Sequence, residues 1–199
     1  MTIDLSVFSE TSFVVGEEMQ GDANVREALL DRAMGEGRRR KSSEKLRCGR
    51  LPSAGLAFVA RDDSERVIGS VRLWDVSCGA RPMLLLGPLA VEPSCAGQGI
   101  GTALMQHAIT RAADMDHGAI ILVGDAPYYA RFGFSAGKTS GVMMPGPVER
   151  NRLLGCELKQ GSLDGASGLL IPRGRRVDRH QSHITAERPI VQGRLVQVA

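Results

Sequence analysis

A mixed α/β fold, antiparallel in its first half and crossing over through a helix in its second, is predicted by three observations on the sequence. Two β-rich runs, "LAFVARD" (56–62) and "RVIGSVRLWDV" (66–76), flank "DSE", a hairpin turn signal. An apolar run, "PMLLLGPLAVEP" (82–93), leads through a glycine-rich stretch into a helical pattern and then into "GAIILVGD" (118–125), which reads as strand, helix and strand. At 199 residues the chain is long enough to bury one sizeable core with extensions. Its 43% apolar and 24% charged residues are those of an ordinary globular protein, which argues against a disordered chain or a membrane protein.

The elements follow in order. "SFVVGEE" (12–18) alternates weakly and suits a strand. "GDANVREALLDRAM" (21–34) places Val25, Ala28, Leu29 and Ala33 at helical spacing, with Asp22 or Asn24 as N-cap. The stretch 35–55 is rich in Gly, Ser and Arg and reads as loop, with a helical turn over 43–47. After the hairpin, 82–93 reads as a central strand, yet Pro88 has no N–H for a ladder and Gly87 weakens a strand interior. The strand should therefore bulge or splay near its middle and leave backbone groups free for a ligand. "GIGTALMQHAITRAADM" (99–115) carries Ile100, Leu104, Met105, Ala108, Ile109 and Ala112 on one stripe, a helix packed on a sheet. "APYYARFGF" (126–134) reads as a short helix running into a strand, and "GASGLLIPRG" (165–174) as a late strand.

Several function classes are disfavoured. No run reaches the length of a membrane span, and the start "MTIDLSVFSETSF" has acids where a signal peptide has a basic region, so a cytoplasmic protein is expected. Cys48, Cys78, Cys95 and Cys156 show neither CxxC spacing nor close pairing, which favours reduced thiols over disulfides or zinc. His180 and His183 are three apart, but no third ligand is near, and no metal is expected. His107 falls mid-helix and His117 in a turn. Two basic clusters, "GRRRK" (37–41) and "PRGRRVDRH" (172–180), lack the interleaved aromatics or recognition helix of a nucleic-acid binder and read first as solvated charge. The alternative for either cluster is attraction of an acidic acceptor or of a phosphate.

"VEPSCAGQGIGTALMQHAI" (91–109) sets Gly97, Gly99 and Gly101 at alternate positions before a helix. Such a turn lets backbone N–H groups approach an anion, and the helix dipole adds positive potential there. The spacing is neither that of a P-loop, which needs GxxxxGK[ST], nor that of a dinucleotide GxGxxG.

"LLLGPLAVEPSCAGQGIGTALMQHAI" together with "ILVGDAPYYARFGF" resembles the acetyl-CoA-binding core of the GCN5-related N-acetyltransferases (GNAT), and the loop around 37–62 resembles their YhbS-like bacterial subgroup. The resemblance covers about 12–172 and implies a GNAT fold: a mixed, mostly antiparallel sheet, splayed at the acetyl-CoA site and flanked by helices. It implies residues 1–172 as the acetyltransferase domain and 173–199 as a basic extension. Leu89, Ala90 and Val91 would pair with the pantetheine arm, and Ala96, Gly97, Gln98, Gly99, Ile100, Gly101 and Thr102 would cradle pyrophosphate. The family's Gln or Arg falls at Ala96, so one side chain is missing, with Gln98 and Cys95 as local substitutes. Tyr129 takes the family's position for the acid that protonates the leaving thiolate, while Tyr128 reads as packing.

For the base, Glu92 stands first and Asp125 second. Phe58 and Trp74 read as core. The expected activity is transfer of acetyl from acetyl-CoA to a primary amine of a small-molecule or peptide acceptor by direct attack. The competing expectation is a CoA-binding sensor or scaffold without turnover, which Ala96 favours, and a third is a basic adaptor. The apolar alternation in "HITAERPIVQGRLVQV" allows an added strand and a homodimer.

Overall fold

The computed structural model describes residues 12–177; the His180 and His183 pair, the strand-adding stretch and the end of the second basic cluster lie outside the described residues. An eight-stranded sheet holds β1 (Phe13–Glu17), β2 (Ala57–Asp62), β3 (Val67–Cys78), β4 (Arg81–Val91), β5 (Ala119–Val123) and β7 (Leu153–Glu157) in that order, while β8 (Gly168–Pro172) pairs with the far end of β3 and with β6 (Val142–Met143). Neighbours are antiparallel except β4 with β5 and β6 with β8. The antiparallel first half and the crossover through α3 (Ile100–Asp114) are as expected.

The continuous apolar run of β4 has a simple cause. Leu84 and Leu86 face one core with Ile100, Leu104 and Met105 of α3, and Met83 and Leu85 face another with Leu46, Trp74 and Ile121. Both faces of the strand are covered, so alternation disappears. α1 (Ala23–Met34) closes the second face with Leu29 and Leu30 against Val59, Val67 and Ala90. Asp22 precedes α1 but does not cap it through its side chain. Its carboxylate accepts from the Met19 N–H at 2.7 Å and from Arg61 Nη2 at 2.6 and 2.7 Å.

Two expectations need correction. The run 126–134 forms α4 (Ala126–Ala130) but no following strand; Ser135 makes a single bridge to Gly155 before a 3-10 turn at Ala136–Thr139. β6 and β7 were not expected. "LLGCE" in β7 is short, lacks β-branched residues and has a central glycine, and it becomes a strand because β5 offers it an edge. Gly155 is small for a reason: a Cβ there would lie 2.8 Å from Leu163 Cδ1 and 3.0 Å from Thr139 Cγ2. The described chain also continues past Pro172, where Arg173 and Gly174 donate to the Asp75 carbonyl and Val177 to that of Gly49.

The seat of α3 is set by one more glycine. A Cβ on Gly69 of β3 would lie 2.8 Å from Ile100 Cγ2 and 2.9 Å from Leu104 Cδ1, so the first turns of the helix rest directly on the strand. Gly69→Ala is expected to cost about 1–3 kcal/mol through overpacking, measured as a lower denaturant midpoint at unchanged slope. Gly16, with nothing within 4 Å of its Cβ position, serves as the control.

Candidate active site at the parted strands

β4 and β5 are paired only at Leu84 with Ile120 and Leu85 with Ile121, although β4 runs on to Val91 and β5 to Val123. Beyond Leu85 the strands part. At the same place the β3–β4 register shifts: Val71 faces Leu89 and Leu73 faces Leu86, so Gly87 and Pro88 stand opposite the single residue Arg72. Gly87 has φ +124°, and the Gly87–Pro88 peptide is cis. The buried Trp74 indole N–H donates to the Gly87 carbonyl at 2.6 Å, which pins the bulge from the core side. Trp74 is thus a core residue with a defined task, and Phe58 is fully buried against the edge of the His107 ring.

The glycine-rich loop follows the end of β4. A 3-10 turn, Pro93–Cys95, is followed by Ala96 to Gly99, all exposed, and α3 starts at Ile100. Gly97 (φ +82°) and Gly99 (φ +81°) take left-handed conformations with open space around them, which explains glycine at both. Gly101 is different: a Cβ there would sit 3.1 Å from the Tyr128 hydroxyl. No side chain caps α3 at Gly99, and the first N–H groups of a helix have no partner within it. The amides of Ile100, Gly101 and Thr102 are therefore free to take an anion, with the dipole behind them.

A cation sits at that positive end. Arg131 Nη2 donates to Thr102 Oγ1 at 3.2 Å, and its guanidinium lies 4.2 Å from the Tyr128 ring centroid. Placed against a helix N-terminus, a guanidinium is favourable only when an anion lies between or beside the two. Sequence reasoning missed Arg131 because it stands 35 residues past Ala96 in the chain and meets the loop only through α4. Of the two local substitutes for Ala96, Gln98 is exposed in the loop, whereas Cys95 is buried in the α3 core.

The gap between the strands opens into a cleft of about 590 Å³ of empty space, partly open to solvent, lined by Leu86 to Leu89, Leu122, Val123, Tyr129 and residues of the 34–47 segment. Tyr129 is half-buried, edge-on to Tyr128 at 4.8 Å, and burial, helped by the neighbouring Tyr128, pushes its phenol up to about 12. Gly124 makes room for it, since a Cβ there would lie 2.1 Å from Tyr129 Cε2. The 34–47 segment brings in Arg38, Lys41, Ser43, Glu44 and Arg47. Arg38 is neutralised by Asp31 (2.6 Å) and Glu27 (2.5 Å); Arg47 donates to Glu44 Oε2 at 2.9 Å.

Glu92 is placed elsewhere. Arg32 grips its carboxylate with Nη2 at 2.7 Å and Nε at 3.1 and 3.3 Å, and it lines a separate groove with Asp22, Arg61 and Arg66. The structure does not bring it to Tyr129. Asp125 precedes α4, exposed, and does not line the cleft. Glu44 is the carboxylate that does, and no motif marked it. Among the described residues no cluster of three metal-ligating side chains occurs, no helix is long and apolar enough to cross a membrane, and all four cysteines are free.

The comparisons with known proteins agree with this geometry. Residues 53–136 match the family model described as an acetyltransferase (GNAT) domain. The chain is 28% identical over 155 residues, 77% of its length and 92% of the relative's, to a protein of Escherichia coli K12 named uncharacterized N-acetyltransferase YhbS. The crystal structure of E. coli YhbS in complex with CoA superposes with a TM-score of 0.70 at 26% identity, covering 82% of this chain and 91% of that one. A GNAT family acetyltransferase from Brucella melitensis, solved with acetyl-CoA, shares the fold with a TM-score of 0.55 at 24% identity, over 72% of this chain and 95% of that one.

The raised phenol gives a direct test of the cleft. Tyr129 stays protonated at pH 10.5, so wild type and Tyr129→Phe should differ there by only about a thirtieth of one phenolate in ultraviolet absorbance, against most of one for a phenol of ordinary pKa near 10. Since the folded pKa lies above the unfolded one, the neutral phenol contributes its full stability below about pH 10, and that contribution is lost as pH rises toward 12. The urea midpoint of wild type should therefore fall relative to that of Tyr129→Phe as pH is raised through that window.

Proposed function

We propose that this chain, a member of the GNAT N-acetyltransferase family, transfers acetyl from acetyl-CoA to a primary amine by direct attack in the cleft between β4 and β5. The observation that carries the reading is the meeting of parted strands with Tyr129 in the gap and an uncapped α3 N-terminus that packs against the neighbouring Tyr128. In this reading residues 1–172 form the catalytic domain and 173–199 a basic extension.

The residues fit the co-substrate. Gly97 and Gly99 leave space for pyrophosphate, the amides of Ile100, Gly101 and Thr102 point at it, and Arg131 supplies the positive charge that Ala96 cannot. Backbone groups of Leu89, Ala90 and Val91 on the unpaired edge of β4 take the pantetheine arm, as an added strand would. The acetyl carbonyl then lies by the Gly87–Pro88 bulge, where free backbone N–H groups stabilise the oxyanion of a tetrahedral intermediate.

The amine must enter neutral, and the cations that line the cleft favour that form. Its nitrogen bonds to the acetyl carbon, and the C–S bond then breaks. Tyr129 gives its proton to the departing thiolate, and the proton lost by the amine returns to Tyr129 through water. Glu44, whose Oε2 is held by Arg47, keeps Oε1 for that relay in place of Glu92. A second reading, CoA binding without turnover, draws on Ala96 and on the capture of Glu92 by Arg32.

Calorimetric titration separates the steps. Acetyl-CoA is expected to bind with micromolar affinity, roughly −8 kcal/mol. Arg131→Ala should weaken it about tenfold, as expected for loss of a charged hydrogen-bond donor. Tyr129→Phe should bind it equally well and lose about 10²- to 10⁴-fold in kcat, scored by acetylated amine in the mass spectrum. Binding without acetylation of any amine would establish the non-catalytic reading.

A further inference from the structure

Arg47 is buried in the cleft without being fully used. Only 8% of the residue is exposed, yet it lines the same space as Tyr129 and Gly87. Its hydrogen bonds all leave from Nη2, to Glu44 Oε2 at 2.9 Å and Ser43 Oγ at 3.4 Å. Nε is buried with no partner, and among the described residues Nη1 has none either. Nη1 lies 3.8 Å from where a Cβ on Gly87 would stand, so this unspent end of the guanidinium faces the bulge. A buried donor left unsatisfied is costly, and burial holds the Arg47 guanidinium below its ordinary pKa. An ion pair with Glu44, one turn away on the four-residue α2 (Glu44–Arg47), does not require that burial.

The charges around it do not balance. Lys41 lines the same cleft and makes no ion pair among the described residues. Arg38 is already matched by Asp31 and Glu27, which leaves Glu44 as the one lining carboxylate for the two cations Arg47 and Lys41. In the adjoining groove, which shares Lys41 and Ser43, Glu149 and Arg152 stand together and cancel.

We infer that the acceptor amine carries an oxyanionic group, a carboxylate or a phosphate, which docks on Arg47 and Lys41 while the amine reaches the acetyl carbon beside Gly87. This rests on the transferase reading above. A guanidinium with open N–H groups is the side chain best matched to such an oxyanion. The same surplus of positive charge selects against diamines and polyamines, whose second ammonium would enter a cationic cleft.

The test uses matched acceptors at saturating acetyl-CoA: 4-aminobutyrate against its carboxamide, phosphoethanolamine against ethanolamine, and putrescine as the dication, with rates corrected to the neutral-amine fraction. Wild type should favour the anionic member of at least one pair by tenfold or more in kcat/KM, and which pair responds separates carboxylate from phosphate. Arg47→Gln should abolish that preference, raising KM for the anionic member alone while lowering kcat for both members through the loosened Glu44; Lys41→Ala should reduce the preference, and both variants should bind acetyl-CoA as wild type does. Arg47→Lys, keeping the charge, should restore part of it. A preference for neutral amines or putrescine, or an Arg47→Gln variant that keeps the wild-type ratio of kcat/KM between the members of a pair, would overturn the inference and leave a structural arginine only.

If no amine is turned over, the transferase reading fails by itself, and the same compounds are titrated into the CoA complex. Heat from the anionic member alone, lost in Arg47→Gln, upholds the oxyanion site; no heat from either member overturns it.

Discussion

Everything at the site depends on β4 leaving β5 after Leu85. A parallel pair that continued to Val91 would satisfy the backbone groups of both strands and close the cleft. The Gly87–Pro88 bulge prevents this: Pro88 offers no N–H, and two residues occupy the space of one opposite Arg72. Trp74 holds the bulge by its indole N–H, so the interruption is anchored in the core that Trp74 shares with Leu46 and Leu85. Because the gap is set by backbone and by a buried side chain, it exists before any ligand arrives.

Three rigid pieces converge on that gap. α3 is drawn onto β3 at Gly69, which fixes its N-terminus and with it the loop from Ala96 to Gly101. α4, reached from β5 through Gly124, sets the Tyr129 ring against the strand end and swings Arg131 back to Thr102. The 35–47 segment, loose by composition, is tied down by charge: Arg38 binds Asp31 and Glu27 of α1, and Glu27 also binds Arg26, itself paired with Glu18. Arg38 is buried, and a buried pair broken on one side leaves an uncompensated charge. This network delivers Lys41, Glu44 and Arg47 to the cleft wall, so part of the basic cluster that reads as solvated charge is structural.

Electrostatics divides the site into two positive regions. At one end lie the uncapped α3 amides, the helix dipole and Arg131. At the other, Arg47 and Lys41 exceed Glu44. Tyr129 lies between, half-buried, where burial pushes its phenol up to about 12.

The sequence by itself determined the order of elements from β1 to β5, the interrupted strand, and the glycine-rich turn that opens α3. These are local properties: two-residue and 3.6-residue periodicities, and backbone rules for Gly and Pro that act over a few residues. The tertiary structure alone decided which distant side chains share the site. Arg131 meets Ala96's loop across α4, Glu92 is withdrawn to Arg32 from another helix, and Glu44 and Arg47 enter from a segment whose composition reads as loop. β7, too, is a strand only because β5 presents an open edge. Pairings of this kind are fixed by packing and by the neutralisation of buried charge, and residue spacing along the chain carries no record of either.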